Sequence, residues 1–196
     1  MGKKSHFFVI RQRGESLATG LVYEDVLPIH WRKLEESLST LQVSKIEQAG
    51  VTNLRMIAAM ENFGSESHDE GNDQTLDLQR LEFKVDVMLE LMTALVREHL
   101  EFPEAKKFIL LPGQIKFRDQ RADVAIGDWV CVDVYLNPNF PKPLSLIGMV
   151  QRVTESERDA TWLEIDLSSG GERLRDELEK FLFRQHRRAV AQVRRV

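Results

Sequence analysis

The sequence predicts an α+β protein: a small antiparallel β-barrel closed by a C-terminal helix and preceded by a helical extension that contains one long heptad helix. Three observations carry this expectation. Between residues 75 and 100, Leu78, Leu81, Val85, Met88, Met92 and Leu95 recur at alternating spacings of three and four, the pattern two helices need to keep facing each other. After Pro103 the apolar period changes to two, and strand-length runs follow one another with turns but no helices between them, which means an antiparallel sheet or barrel. At the end, Ser169-Gly-Gly-Glu172 has the form of a capping box and opens a stripe of Leu174, Leu178, Phe181 and Leu182. The organisation that follows is an N-terminal arm over 1–20, a helical extension over 21–104 with its oligomerisation helix at about 75–100, and a barrel with its closing helix over 105–196.

Residues 1–20 carry Lys3, Lys4, Arg11 and Arg13 and no sustained period. They read as a loose arm in which Phe7–Ile10 pairs locally as a short strand. Leu21 to Trp31, dense in apolar and aromatic residues and broken by Pro28, reads as an extended segment laid on a core. Helical spacing starts near Trp31 and continues through Leu34, Leu38, Leu41 and Ile46 until Gly50 interrupts it. A second short helix is expected from Thr52, as N-cap, through Leu54, Ile57, Ala58 and Met60. The acid-rich stretch Asn62 to Asp73 lacks the alternating oxygen ligands and the terminal Glu of a calcium loop, so it reads as a solvated linker.

The heptad helix has a second apolar stripe, Leu76, Phe83, Val87 and Ala94, on the side away from the seam. One stripe docks a helix on its own domain, whereas two require two neighbours. The competing arrangement is a core helix wrapped on both sides by its own chain. Val85 and Met92 occupy position a, and Leu81, Met88 and Leu95 occupy position d. The flanking e and g positions hold Leu89 and Leu91, which a two-stranded coil would leave half exposed. Additional helices widen the seam and cover them, so a homotetramer is favoured over a dimer.

Phe108–Leu111 and the alternating Ile115 and Phe117 flank Pro112-Gly113 as paired strands. Trp129–Leu136, Leu144–Val153 and Thr161–Leu167 supply three more, with Gly148 expected at a bulge or barrel corner. The far end of the closing helix carries Arg184, Arg187, Arg188, Arg194 and Arg195 without an acid. These are either solvated cations offsetting the helix dipole or a contact surface.

The barrel region, in Gly127-Asp-Trp-Val-Cys-Val132, Pro143-Leu-Ser-Leu-Ile-Gly-Met-Val-Gln-Arg152 and Trp162-Leu-Glu-Ile-Asp166, resembles the PilZ domain. Leu21–Trp31 and the heptad helix resemble the atypical, tetramer-forming branch of that family, which inserts helices before the barrel. The resemblance implies a link to cyclic di-GMP. The family binds that nucleotide with an Arg-x-x-x-Arg arm ahead of the barrel and an Asp/Asn-x-Ser-x-x-Gly motif early in it, guanidinium forks holding phosphate and stacking on guanine. Here Leu110-Leu-Pro-Gly-Gln-Ile-Lys116 stands where the second motif belongs, and no Arg-x-x-x-Arg precedes it. Arg118 and Arg121 are too close together and come after it. Asp166-Leu-Ser168-Ser-Gly-Gly171 and Arg184-Gln-His-Arg187-Arg188 match the two motifs in reversed order and at the wrong place. Motif positions therefore do not support a bound nucleotide.

Composition and charge narrow the function classes. Hydrophobic residues at 42% allow a real core, and a net charge of −4 gives no general attraction to nucleic acid or anionic lipid; nucleic-acid contact through the arginine tail is the weakest reading. One cysteine, Cys131, in an apolar run reads as a buried thiol in a reducing compartment, and no run is long enough to insert in a membrane. The five histidines lack ligand spacing, and no phosphate loop or nucleophile elbow occurs. The expectation is a cytoplasmic, non-catalytic PilZ-type signalling adaptor or scaffold without cofactor or metal. It would act through homo-oligomerisation and an unidentified signalling protein partner. The alternative is a cyclic di-GMP receptor that uses basic C-terminal residues.

Overall fold

The structure is a computed structural model describing residues 21–35, 38–63, 81, 83–85, 87, 88, 91, 92, 94, 95, 101–120, 123–137, 140, 142–156, 160–168 and 170–193. The expected N-terminal arm, the expected 62–73 linker apart from Asn62 and Phe63, which are helical, and Leu76, Leu78, Leu89, Arg121, Ser169, Arg194 and Arg195 lie outside them.

The chain forms β1 (Tyr23–Lys33), α1 (Thr40–Phe63) and the helical residues between 81 and 95 (α2). It continues through β2 (Ala105–Leu111), β3 (Gln114–Asp119), β4 (Trp129–Val134), β5 (Leu144–Ser156), β6 (Ala160–Asp166) and α3 (Glu172–Val193). All strand pairs are antiparallel, and they close into a barrel in the order β1-β2-β3-β6-β5-β4. The period-two alternation has its expected result. Phe108, Leu110, Ile115, Phe117, Val132, Leu146, Leu163 and Ile165 point into one buried core. Leu174, Leu178, Phe181 and Leu182 dock α3 on it, and the Phe181 ring meets Tyr23 edge-on at 5.6 Å.

The barrel does not begin at Ala105. Residues expected to lie extended on the core instead form its closing strand. Tyr23–Pro28 pairs with β2, and Ile29–Lys33 pairs with β4. Pro28, which lacks a donor, sits at the change of partner, where its carbonyl accepts from the Tyr135 N–H at 3.1 Å. The helical extension is thus an insertion between the first and second barrel strands.

The expected helix start at Trp31 and the break at Gly50 are also corrected. α1 is one helix, opened by a Ser39–Gln42 capping box: Ser39 N–H donates to Gln42 Oε1 at 2.9 Å, and Gln42 N–H to Ser39 Oγ at 3.4 Å. Thr52 is not a cap; its hydroxyl donates back to the Gln48 carbonyl at 2.9 Å. Gly50 lies buried in mid-helix because a Cβ there would stand 3.0 Å from a Leu174 methyl and 3.3 Å from one of Leu144. It lets α1 approach α3 and β5. Gly148 plays the same part in β5, where a Cβ would lie 2.3 Å from the Asp166 carbonyl oxygen. The irregularity of β5 falls later, between Val150 and Arg152.

Candidate functional site

The helical residues between 81 and 95 expose the seam predicted from sequence. Leu81, Val85, Met88, Met92 and Leu95 are 59%, 47%, 62%, 60% and 60% exposed, and Leu91 is 61% exposed. Of the outer stripe, which with the seam was expected to need a second neighbour, Phe83 and Val87 are 69% and 37% exposed and Ala94 is exposed too. The described side chains of both stripes are therefore left exposed. A row of large apolar side chains in water is the kind of surface that makes this helix a candidate interaction site.

The residues resembling nucleotide-binding motifs are occupied in other ways. Asp166 closes β6: its carboxylate accepts from the Ser168 N–H at 2.9 Å and the Ser168 hydroxyl at 2.6 Å. The hydroxyl bond foremost, then the backbone bond, hold the Asp166 carboxyl below its ordinary range. The Gly171 carbonyl starts the α3 ladder, accepting from the Leu174 N–H at 3.0 Å; Ser169, the expected cap, lies outside the described residues. The Gly171 N–H donates to Glu47 Oε1 of α1 at 2.6 Å. More than three turns of α3, about 20 Å, separate this connection from Arg184.

At that far end, Glu61 of α1 gathers the basic residues. Arg184 Nε stands 3.4 Å from Glu61 Oε2 and Arg188 NH1 2.6 Å from Oε1, while Gln185 donates to Oε1 at 2.7 Å. Arg187 lies over the Phe183 ring at 6.0 Å. The six candidate residues Asp166, Ser168, Gly171, Arg184, Arg187 and Arg188 are thus not brought together, and Arg184 and Arg188 fasten α3 to α1. Sequence reasoning missed Glu61, but a signal existed. Leu54, Ile57 and Glu61 share one helical face, and an acid continuing a buried stripe requires a partner.

A second feature absent from the sequence reading is an open cavity of about 530 Å³ between the first half of α1, the start of β4, β5 and the β6–α3 connection. Its charged lining is Lys33, Glu35, Glu47 and Asp128. Lys33 Nζ stands 2.7 Å from Asp128 Oδ2. That contact first, and the Ala125 N–H second, hold the Asp128 carboxyl low, while the same contact raises Lys33. Among the described residues no cluster of His, Cys, Asp or Glu is placed to hold a metal, and no helix is long and apolar enough to cross a membrane. Cys131 is buried, and burial pushes its thiol up.

A family model described as an atypical PilZ domain, cyclic di-GMP receptor, matches residues 54–195. Among solved structures the chain is similar to a pathogenic protein of Xanthomonas campestris, a tetrameric PilZ domain self-assembled via a helical bundle. The match has 24% identity and a TM-score of 0.71 and covers 89% of this chain and 93% of that one; it is a likeness of fold. An inhibitor of motility from Bacillus subtilis matches at 11% identity and a TM-score of 0.35, over 42% of this chain and 41% of that one, too slight to inform the fold. No curated protein matches.

Proposed function

The chain belongs to the atypical PilZ-domain family, and from that premise we propose that it is a cytoplasmic, non-catalytic signalling adaptor of cyclic di-GMP-linked regulation in bacteria. It assembles through α2 into a homotetramer and acts by contact with a signalling protein. One observation supports this reading: the described seam residues Leu81, Val85, Met88, Met92 and Leu95 are helical and exposed. The Xanthomonas campestris relative, self-assembled via a helical bundle, supports a tetramer, as does the apolar pair Leu89 and Leu91 beside the seam. In this assembly Leu78, Leu81, Val85, Met88, Met92 and Leu95 form the interior of the bundle.

The family's description as a cyclic di-GMP receptor favours a second reading, in which basic residues of α3 hold the nucleotide. Against it stand the ion pairs of Arg184 and Arg188 with Glu61 and the distance from Asp166, Ser168 and Gly171. Titration calorimetry of the full chain with cyclic di-GMP, at low and moderate salt, separates the two. The adaptor reading expects no saturable heat. Micromolar binding that disappears in both Arg184→Ala and Arg188→Ala, with the fold retained by circular dichroism, would replace it with the receptor. Steeply salt-dependent binding of any nucleic acid sequence would instead identify the tail as an electrostatic contact.

A further inference from the structure

We propose that the cavity beside α1 is the docking site of the chain's own N-terminal arm, with Phe7–Ile10 seated on its apolar floor. The floor is built by Leu38, Val43, Ile46, Ile147 and Leu174, beside the Trp129 ring, which is 41% exposed. Apart from Leu174, these aliphatic residues are only half buried, so the cavity offers apolar surface that the described residues do not cover. Among the described residues its charge is unbalanced: Glu35, Glu47 and Asp128 face one cation, Lys33, which Asp128 already neutralises. An acidic rim of this kind repels an anionic nucleotide and suits an apolar segment flanked by cations.

Residues 1–20, outside the described part of the chain, have that composition. Phe7-Phe-Val-Ile10 is preceded by Lys3 and Lys4 and followed by Arg11 and Arg13, with Glu15 the only acid. Charge and hydropathy thus match the cavity on both counts. Either flanking basic pair can also stand over the Trp129 face.

Reach permits the contact within one chain. β1 carries the backbone from Tyr23 to Lys33, at the cavity edge, a span of about 33 Å. Phe8 precedes Leu21 by enough residues to extend about 43 Å. The arm can therefore run back along the barrel beside β1 and place its aromatic pair on α1.

Hydrogen exchange on the full chain tests this, with the barrel fold of each variant checked by circular dichroism. The proteins compared are the wild type, Phe7→Asp with Phe8→Asp, and a charge reversal of Lys3, Lys4, Arg11 and Arg13 to Glu. We expect amides of residues 43–47 and 127–129 to exchange roughly ten-fold faster in both variants, the change that loss of one buried aromatic side chain produces. A synthetic peptide of residues 1–14 should restore protection there in both variants. Equal exchange in all three proteins overturns the proposal. Protection that disappears when Val85→Asp and Met92→Asp dissolve the bundle assigns the cavity to a neighbouring copy's arm and overturns docking within one chain.

Discussion

Replacing Val85 and Met92 by Asp should convert the proposed tetramer into monomers while leaving the barrel folded. Leu81, Val85, Met88, Leu91, Met92 and Leu95 each leave about half their surface in water, between 47% and 62%. Complete burial of such side chains contributes about 1.5–3 kcal/mol each. Covering the exposed half therefore recovers about 0.8–1.5 kcal/mol each, or about 5–9 kcal/mol per chain in the bundle. The double substitution removes about 1.5–3 kcal/mol of this and places two carboxylates per chain in a low-dielectric seam, at several kcal/mol each. The loss is comparable to the whole gain, and each 1.4 kcal/mol is a factor of ten in association. Multi-angle light scattering at micromolar concentration should give four times the 22.7 kDa chain mass for wild type and one times for the variant. Circular dichroism should keep its strand signal, because both positions are exposed and lie away from the core cluster. A monomeric wild type, or a variant that stays assembled, refutes the reasoning.

Three further outcomes are expected. Glu61→Ala strands Arg184, Arg188 and Gln185 and should lower stability by about 2 kcal/mol, seen as a melting temperature about 4–8 °C lower with the oligomer mass unchanged. Gly148→Ala drives a methyl onto the Asp166 carbonyl and Ile165 and should cost about 3 kcal/mol in urea denaturation, whereas Gly113→Ala, with nothing within 4 Å, should stay within about 0.5 kcal/mol. Asp128 and Asp166 have folded-state pKa values below their ordinary ones. Their stabilisation is therefore complete above the unfolded value and lost as pH falls through the folded one. Melting temperature should hold above about pH 5 and drop below about pH 4, less steeply in Asp128→Asn; a slope unchanged by that substitution would remove Asp128 from the acid response.

What the sequence determined alone is what neighbouring residues encode. Period two placed β2 through β6 to within a few residues, since successive side chains of a strand face opposite sides. The apolar spacing between 81 and 95 falls on residues that are helical and exposed where described, and the stripe from Leu174 to Leu182 identified the face α3 buries. Pairings between distant segments left no such trace. Tyr23–Lys33 became a barrel strand only because β2 and β4, some eighty or more residues later, offer it two edges to close. Gly50 looked like a break because glycine weakens an isolated helix, yet the contact with Leu174 makes its missing side chain the condition for packing. The match of Arg184 and Arg188 to a binding motif was a matter of letters. Tertiary structure set Glu61 beside them, and a guanidinium in a partly buried site is held by the carboxylate that faces it. The acidic cavity belongs to the same class, because its walls come from four separate stretches that only the closed barrel brings together.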